Sequence, residues 1–253
     1  MRVFAVTGPT GSGKTTTIEM IIAELGHRRY SVGSVKEIHY EDFTIDTPGT
    51  NTDRHYRAGA QQVCALGLTE TDVLYKRRLD IREVLSHFDH DFVVCEGVED
   101  PTIPRILTAE RVDDLEDRFS ENVFAISGKV SAGLGEFRGL PAIDATRNVE
   151  ELVDLIEKRT FPLLPGVDPE CCGACGYSCA QMTAMILRGA ATPDDCPVIN
   201  RPRVRLKVAG NQIPMVPFVQ SLVANAVMGV AGELEGYRPH ATIQVEIDPE
   251  DGR

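Results

Sequence analysis

The chain has 253 residues, of which 42% are hydrophobic and 25% charged, and its formal net charge is −12. This composition allows a globular protein with a sizeable core, while the acidic balance argues against non-specific nucleic-acid binding, which requires a basic surface. No apolar stretch approaches the roughly 20 residues needed to cross a bilayer, and no signal-peptide pattern precedes the first strand. We therefore expect a cytoplasmic protein whose seven cysteines are thiols or metal ligands rather than disulfides.

Strand-like and helix-like segments alternate along the first 160 residues. Short apolar runs predict strands, and apolar residues recurring every three or four positions predict helices. This alternation predicts an α/β fold with a mostly parallel sheet and helices on both faces. The predicted strands are residues 2–7, 31–36, 92–95, 123–126 and 141–144, and the predicted helices are residues 15–25, 80–88 and 149–159, with a further helical stretch around residues 57–63.

A second region begins after residues 161–169, where three prolines and a glycine predict a linker. A cysteine-rich segment follows, with helical character over residues 180–188. Residues 204–208 and 241–247 alternate as strands, and residues 217–234 predict a helix between them. We therefore expect three parts: a nucleotide-binding domain over residues 1–162, a cysteine-rich segment over 163–200, and a small α+β module over 201–253.

A phosphate-binding loop lies at the start of the chain, where Gly8-Pro-Thr-Gly-Ser-Gly-Lys14-Thr15 matches the pattern G-x-x-x-x-G-K-T. A strand precedes it and a helix follows it, which is the context in which such a loop presents backbone N–H groups to phosphates. In that arrangement Lys14 would contact the β- and γ-phosphates, and the hydroxyl of Thr15 would bind Mg²⁺. The pattern predicts a P-loop NTPase fold. The predicted nucleotide-binding residues are Gly8, Gly11, Ser12, Gly13, Lys14, Thr15 and Thr16.

Two acidic residues are candidates for the metal side of this site. Glu96 ends the apolar strand that begins at Phe92, and there it could hold Mg²⁺ through water or orient the attacking water. The alternative is a strand-end glutamate that faces solvent. Asp46 is a further candidate, and the nearby Arg54 and Arg57 either meet phosphate or form a solvated loop surface. No guanine-recognition box is present, so the pattern leaves the base unassigned.

Five cysteines lie within 26 residues, at positions 171, 172, 175, 179 and 196, the last of them followed by a proline. Thiolates suit iron–sulfur clusters or zinc. Four ligands with a final Cys-Pro favour a cubane cluster, whereas zinc more often shows two paired knuckles. Zinc binding and a redox or disulfide role remain alternatives. The predicted cluster ligands are Cys172, Cys175, Cys179 and Cys196, with Cys171 an alternative first ligand; Cys64 and Cys95 are expected to be ordinary core residues.

Residues 1–160 resemble the molybdopterin-guanine dinucleotide biosynthesis protein B (MobB) family. The resemblance rests on the phosphate loop and on a spaced set of motifs: Val35-Lys36 with His39, Ile45–Gly49, Asp53-Arg54-His55 with Ala58-Gly59-Ala60, and Cys95-Glu96-Gly97. It implies a dimeric protein that binds GTP with Mg²⁺, hydrolyses it weakly, and assists a partner guanylyltransferase that builds the molybdenum cofactor for molybdopterin-dependent enzymes.

Residues 171–197 resemble the small four-iron–four-sulfur domain of corrinoid iron–sulfur proteins, which also occurs in some longer MobB-like proteins. The residues that carry this resemblance run from Cys172 through Cys179 to Asp195-Cys196-Pro197. Residues 204–247 look like the tail of those longer proteins. The resemblance implies a 4Fe–4S cofactor in a structural or redox-sensing role.

Together these features predict a GTP-binding protein, with Lys14 and Glu96 as its catalytic residues, that supports maturation of a molybdenum or tungsten cofactor. One alternative is an ATP-dependent metallochaperone or electron-donating activator of a metalloenzyme. Another is a nucleotide-binding adaptor without turnover. GTP preference would support the first interpretation, and ATP preference would support the second.

Overall fold

The computed structural model describes residues 1–166, 172, 174–200, 204–208, 211–213, 215–238 and 243–247. In chain order the elements are β1 (Arg2–Thr7), α1 (Lys14–His27), β2 (Val32–Lys36), α2 (Asn51–Arg57), β3 (Gln62–Leu66), β4 (Thr71–Tyr75), α3 (Ile81–Leu85), β5 (Phe92–Glu96), β6 (Arg105–Thr108), α4 (Val112–Arg118), β7 (Val123–Ser127), β8 (Glu136–Phe137), β9 (Leu140–Pro141), α5 (Val149–Arg159), α6 (Cys179–Leu187), α7 (Pro197–Asn200), β10 (Leu206–Val208), β11 (Asn211–Ile213) and α8 (Pro217–Gly232), with short 3₁₀ helices at Lys129–Ala132 and Pro193–Asp195.

Five parallel strands form the central sheet, in the order β2-β5-β1-β6-β7. The strand β1 lies in the middle, and its end therefore faces the ends of β5 and β6. Phe92–Cys95 and Val123–Ser127 are buried along their whole length, as expected for strands covered on both faces. The predicted α/β fold with a mostly parallel sheet is confirmed.

One face of the sheet is covered by α1 and α5. Phe4 and Val6 of β1 belong to the same buried cluster as Ile21 of α1 and Ile156 of α5. At the end of α1, Arg28 joins the two helices: its guanidinium bonds Glu24 within its own helix and reaches Asp154 and Glu157 of α5 at 2.6 and 3.3 Å. This face fixes the helix that follows the phosphate loop.

The opposite face of the sheet carries two further buried clusters. Val3 and Ala5 of β1, which alternate with Phe4 and Val6, pack with Leu85 of α3 and with Val98 and Ile103. The last two residues belong to the segment between β5 and β6, which crosses this face without forming a helix. The other cluster gathers around Leu115 of α4.

The interval between α2 and α3 differs from the sequence prediction. The predicted helical stretch around residues 57–63 is wrong, because α2 ends at Arg57 and Gln62 begins an antiparallel hairpin of β3 with β4. Gly59, with φ of +112°, lies just beyond the helix end and favours a turn there. Strand β6 and helix α4 were not predicted, because Arg105 interrupts the apolar pattern of a strand that is nevertheless fully buried.

The cysteine-rich segment packs on the first face of the sheet rather than apart from it. Leu164, Met182 and Leu187 belong to the same buried cluster as Phe4, together with Cys196 and Val198. Helix α6 spans most of the predicted 180–188 stretch, and α8 most of the predicted 217–234 helix. Of the predicted strand 241–247, residues 243–247 are irregular and the first two lie outside the described residues. None of the helices in the described ranges has the length and apolar character required of a membrane span.

Candidate functional site

The phosphate loop joins the central strand β1 to the long helix α1. Gly13 is the N-cap residue of α1, with φ of +98°, and no side chain caps this end of the helix. Backbone N–H groups in the first turn of a helix have no partner within the helix, and the helix dipole favours negative charge there. The loop therefore presents N–H donors at the edge of the sheet where a phosphate would bind.

The backbone of this loop packs closely against the backbone at the ends of β6 and β7. A Cβ atom at Gly8 would lie 2.1 Å from the carbonyl oxygen of Thr108, at the end of β6. Likewise, a Cβ atom at Gly128, which follows β7, would lie 2.3 Å from the carbonyl oxygen of Ser12. The N–H of Lys129 donates to that same Ser12 oxygen at 3.0 Å. The ends of three neighbouring strands thus fix the conformation of the loop.

The side chain of Ser12 is part of this support. Its hydroxyl is buried and lies 2.7 Å from the hydroxyl of Thr108, which itself donates to the carbonyl of Thr7. Since a hydroxyl has one proton, Ser12 is the donor in the first of these bonds. Ser12 was predicted to bind nucleotide, and the structure places its side chain beneath the loop, whereas Thr15 and Thr16 are exposed above it.

Lys14 lies across the loop. Its ammonium group donates to the carbonyl oxygens of Gly8 and Pro9, both at 2.8 Å. Burial lowers the pKa of Lys14, the carboxylate of Glu96 opposes this change, and the cations Lys36 and Arg118 add to it. Lys36 is held beside the loop by its ion pair with Glu96, so two cations lie at this site, where a polyphosphate would bind. Arg118, which was not singled out from the sequence, lies at the end of α4 and 4.0 Å from Glu99.

Glu96 meets Thr15 at the end of β5. One carboxylate oxygen accepts a hydrogen bond from the Thr15 hydroxyl at 3.2 Å and forms an ion pair with Lys36 at 2.5 Å. The Glu96 side chain is only 12% exposed, so it faces the loop rather than bulk solvent. Two of the three predicted metal-side residues, Thr15 and Glu96, are thus brought together.

A magnesium ion fits these two oxygen donors. Mg²⁺ prefers oxygen ligands and usually binds through one or two protein groups, with substrate phosphates and water completing its shell. Over the ranges that the structure describes, no three His, Cys, Asp or Glu side chains are arranged to hold a metal ion. Magnesium bound with a nucleotide does not need such a group, because the phosphates supply the remaining charge.

Asp46 lies in a separate network. One of its carboxylate oxygens accepts from the backbone N–H of Thr47 and from the hydroxyls of Thr50 and Thr52, at 2.8–2.9 Å. Its other oxygen is buried without a hydrogen-bond partner among the described residues. These bonds fix the turn that leads into α2, and none of them joins Asp46 to Thr15 or Glu96. The role of Asp46 on the metal side stays a prediction.

The charged residues around α2 are partly engaged with one another. Arg57 forms an exposed ion pair with Asp53 at 2.9 Å, and Asp53 also accepts from the N–H of Gly49. The Gly49 hydrogen bond, more than the pair with Arg57, holds the pKa of Asp53 below its usual value. The suggested contact of Arg57 with phosphate therefore competes with an existing partner.

A cavity of about 490 Å³ lies between the end of α2 and the β3–β4 hairpin. Its lining consists of Tyr56, Gly59, Ala60, Gln61, Gln62, Tyr75, Lys76 and Arg77. It shares no residue with the phosphate loop. We place the candidate nucleotide site at the loop, because the loop has the N–H donors, the lysine and the acid that a triphosphate needs, and the cavity lacks an acid.

The four predicted cluster ligands converge on one side of the core. Cys172, Cys175 and Cys179 are half-buried and pack against the cluster that contains the buried Cys196. Burial raises the pKa of Cys196, backbone N–H groups of Ile199 and Val198 oppose this, and the nearby Cys179 and Cys175 raise it further. Cys171 lies outside the described residues.

Four thiols have the donor chemistry of an iron–sulfur site, but among the described residues no three of these side chains are arranged to hold a metal ion. Thiols close enough to influence one another can share a metal centre, and N–H donors directed at a sulfur stabilise it in its charged, metal-bound form. Cys64 is exposed on the β3–β4 hairpin, contrary to its predicted core position, whereas Cys95 is fully buried. Neither belongs to the core cluster against which the four ligands pack.

Residues 3–127 match the family described as molybdopterin guanine dinucleotide synthesis protein B, or MobB. Residues 164–198 match a second family, described as "Putative Fe-S cluster". The chain belongs to the MobB family. It is a long form of that family, in which a segment that matches the iron–sulfur family follows the MobB domain.

The full length of this MobB chain has a counterpart in Methanocaldococcus jannaschii. That protein, named "Putative molybdopterin-guanine dinucleotide biosynthesis adapter protein", is 29% identical over 98% of both chains. The "Molybdopterin-guanine dinucleotide biosynthesis adapter protein" of Haemophilus influenzae is 32% identical over an alignment of 114 residues, and the match covers 42% of this chain and 61% of that protein. The crystal structure of Bacillus subtilis MobB, 27% identical, superposes with a TM-score of 0.53 over 62% of this chain and 96% of that one. The M. jannaschii protein therefore shares the C-terminal extension, whereas the other two match 42% and 62% of this chain.

Proposed function

We propose that this MobB protein binds GTP with Mg²⁺, hydrolyses it weakly, and acts as an adaptor to the guanylyltransferase that attaches a guanosine nucleotide to molybdopterin. The proposal treats residues 1–162 as the nucleotide domain, 163–200 as the cluster segment and 201–253 as a module without an assigned role. We further propose that it works in the cytoplasm as a homodimer and supplies molybdopterin-dependent enzymes.

The arrangement of Lys14, Thr15 and Glu96 is the observation that supports this proposal most directly. The lysine lies over a loop of N–H donors, and the hydroxyl and carboxylate meet on one side of it at 3.2 Å. Phosphoryl transfer depends mainly on positioning and on charge stabilisation, and these residues supply both. Glu96 is also placed to orient an attacking water, which would account for slow turnover without a further base.

The adaptor role is supported by the relatives rather than by a site on this chain. Both curated relatives are named as biosynthesis adapter proteins for molybdopterin-guanine dinucleotide. An adaptor needs nucleotide binding more than fast hydrolysis, which agrees with a site that holds one carboxylate near the magnesium position. We propose molybdenum or tungsten as the metal of the cofactor, because the guanosine nucleotide attaches to the pterin in either case.

We propose that Cys172, Cys175, Cys179 and Cys196 hold a 4Fe–4S cluster. When bound, such a cluster supplies one-electron redox chemistry and a cross-link between distant parts of the chain. Cys179 begins α6 and Cys196 precedes α7, so the four thiols would tie two short helices to the core. Such a cross-link would give the cluster a structural role, and its redox chemistry would allow a sensing role.

Nucleotide competition tests the first part of the proposal. Anaerobically purified protein is titrated with a fluorescent GTP analogue in the presence of Mg²⁺, and unlabelled GTP and ATP compete with it. We expect GTP to compete at least 10-fold more tightly than ATP, which is about 1.4 kcal/mol. ATP preference would instead support the metallochaperone or activator function.

Two variants locate the binding site. Lys14→Ala should abolish nucleotide binding, because it removes the charge over the loop, while iron content stays unchanged. Lys158→Ala, which removes an exposed lysine from α5, is the matched control and should bind as the wild type does. Binding that survives in Lys14→Ala would contradict the proposed site.

Metal analysis with visible and electron-paramagnetic spectra tests the cluster. We expect about four iron atoms per chain and an electron-paramagnetic signal that appears when the protein is reduced. Serine at any of the four ligand positions should remove the cluster or convert it, whereas Cys64→Ser should leave it intact. One zinc per chain in a colourless protein would overturn the iron–sulfur assignment.

A further inference from the structure

The segment that follows Glu96 runs from the nucleotide site to the opposite end of the sheet. Gly97 donates its N–H to the carbonyl of Val6 at 3.0 Å, which fixes the start of the segment beside the phosphate loop. The chain then crosses one face of the sheet, with Val98 and Ile103 buried beneath it, and enters β6 at Arg105. This segment contains no helix, so only a few residues separate Glu96 from the end of the sheet opposite the phosphate loop. A displacement of Glu96 can therefore displace that end of the segment.

That far end is held by a buried hydrogen-bond network centred on Thr102. The hydroxyl of Thr102 donates to Asp100 at 2.6 Å and accepts from Arg82 at 2.7 Å. A second Arg82 nitrogen donates to the carbonyl of Leu164, at the entrance to the cysteine-rich segment. The segment is therefore linked to the chain that leads into the cluster region.

A direct contact with the cluster region comes from α6. The hydroxyl of Thr183 donates to the backbone carbonyl of Thr102 at 3.1 Å, and Thr183 is fully buried. Thr183 lies four residues after Cys179 on this helix, so the two side chains lie on the same face, one turn apart. A movement of Cys179 that shifts α6 as a unit would therefore shift the donor to Thr102.

We propose that residues 97–104 couple the nucleotide site to the iron–sulfur segment through the hydrogen bond between Thr183 and Thr102. The inference rests on the proposed function for its two ligands, and it adds a regulatory link between them. Binding of nucleotide against Glu96 and loading of the cluster against Cys179 both bias the position of the same segment. By thermodynamic linkage, each ligand then changes the affinity for the other by the same factor.

The experiment measures nucleotide affinity in the full-length chain with and without its cluster. The dissociation constant for the Mg²⁺-bound triphosphate that binds more tightly, GTP or ATP, is determined for both forms. The ratio of the two constants is compared between the wild type and Thr183→Val. In the wild type we expect the larger of the two dissociation constants to exceed the smaller by a factor of about 5 or more, which is the lower end of ordinary allosteric coupling. In the variant we expect the two constants to be nearly equal.

Thr160→Val is the matched control. Thr160 is also buried and also donates its hydroxyl to a backbone carbonyl, that of Ile156, at 2.7 Å, but this bond lies within α5. It should lose a similar amount of stability and keep the wild-type ratio. A wild-type ratio of 1 would overturn the proposal, and so would an unchanged ratio in Thr183→Val.

Hydrogen exchange gives a second readout that does not require nucleotide. The amide of Thr102 is bonded to the Asp100 side chain and that of Ile103 to the Asp100 carbonyl. Cluster loading should slow exchange at both amides in the wild type and less so in Thr183→Val. Equal exchange rates with and without the cluster would refute the coupling, even if GTP binding is confirmed. If the coupling is present but the protein prefers ATP, only the assignment of GTP is refuted.

Discussion

Gly128 supports the phosphate loop without touching the place where phosphate would bind, and replacing it with alanine tests that support. Its φ of +78° and ψ of −161° fall in a region that is essentially restricted to glycine. An added Cβ would lie 2.3 Å from the carbonyl oxygen of Ser12 and 2.9 Å from the Cβ of Thr108. Both neighbours are fully buried, so neither can move aside without shifting the loop or β6.

Two contributions set the size of the effect. The backbone conformation costs about 1–3 kcal/mol for a residue other than glycine, and forcing an extra carbon into a packed site costs about 1–3 kcal/mol more. The free energy of unfolding should therefore fall by roughly 2–6 kcal/mol. Gly139→Ala provides the control, because Gly139 has almost the same φ, +79°, at the tip of the β8–β9 hairpin, with nothing within 4 Å of the added Cβ. The control should lose only about 1 kcal/mol.

Urea unfolding and nucleotide titration measure the two consequences. The unfolding midpoint should drop markedly in Gly128→Ala and slightly in Gly139→Ala, with the slope unchanged. Nucleotide affinity should fall at least 10-fold in Gly128→Ala, since the Ser12 carbonyl must move with its loop, and should stay at the wild-type value in the control. Equal stability losses in the two variants, or full affinity in Gly128→Ala, would refute the argument that this glycine supports the loop.

Three further outcomes are expected from the described contacts. Glu96→Gln should lower nucleotide hydrolysis about 100-fold in a phosphate-release assay, and an unchanged rate would exclude Glu96 as the residue that orients water. Iodoacetamide at pH 8 should modify Cys64 but not Cys95 in the native protein, as read by peptide mass spectrometry, because burial raises the pKa of Cys95 to about 12. Arg77 lowers the pKa of Glu83 to about 2 from 4.5. The stability that this pair adds is therefore fully present above pH 4.5 and is lost as the pH falls through 2. The unfolding midpoints of the wild type and Glu83→Gln should converge over that interval, and a difference that persists at pH 2 would contradict this prediction.

The candidate nucleotide site could be located largely from local sequence. A glycine-rich turn after a buried strand and before a helix has few other uses, and the acid at the end of β5 follows an apolar run that is easily recognised. Because the ends of parallel strands lie along the same edge of a sheet, Thr15 and Glu96 were expected to meet, and they do. The residues of this site lie at the ends of strands and helices that the local sequence predicts, so their positions follow from the sequence.

The support for the site depends on packing between elements, which the sequence pattern does not show. Thr108 ends β6 and Gly128 follows β7, and both contact the loop only because β6 lies beside β1 and β7 lies beside β6. Arg105 concealed β6, since a buried arginine breaks the apolar run by which a strand is recognised; its guanidinium donates to the carbonyl of Arg118 and to Ser120. The β3–β4 hairpin was missed because a polar start at Gln62 resembles the end of a helix.

The relation between the two functional regions is the feature that changes most when the fold is known. The sequence divides them at the proline-rich residues 161–169, which suggests two independent modules. Phe161 and Leu164 are instead buried in the same cluster as Phe4 of the central strand, and that cluster continues to Cys196. Among its described residues, the cysteine-rich segment thus shares its buried core with the sheet and with α1. Because α1 begins at Lys14, the nucleotide site and the cluster segment depend on one body of packed side chains, and this shared core is a physical reason for one chain to carry both.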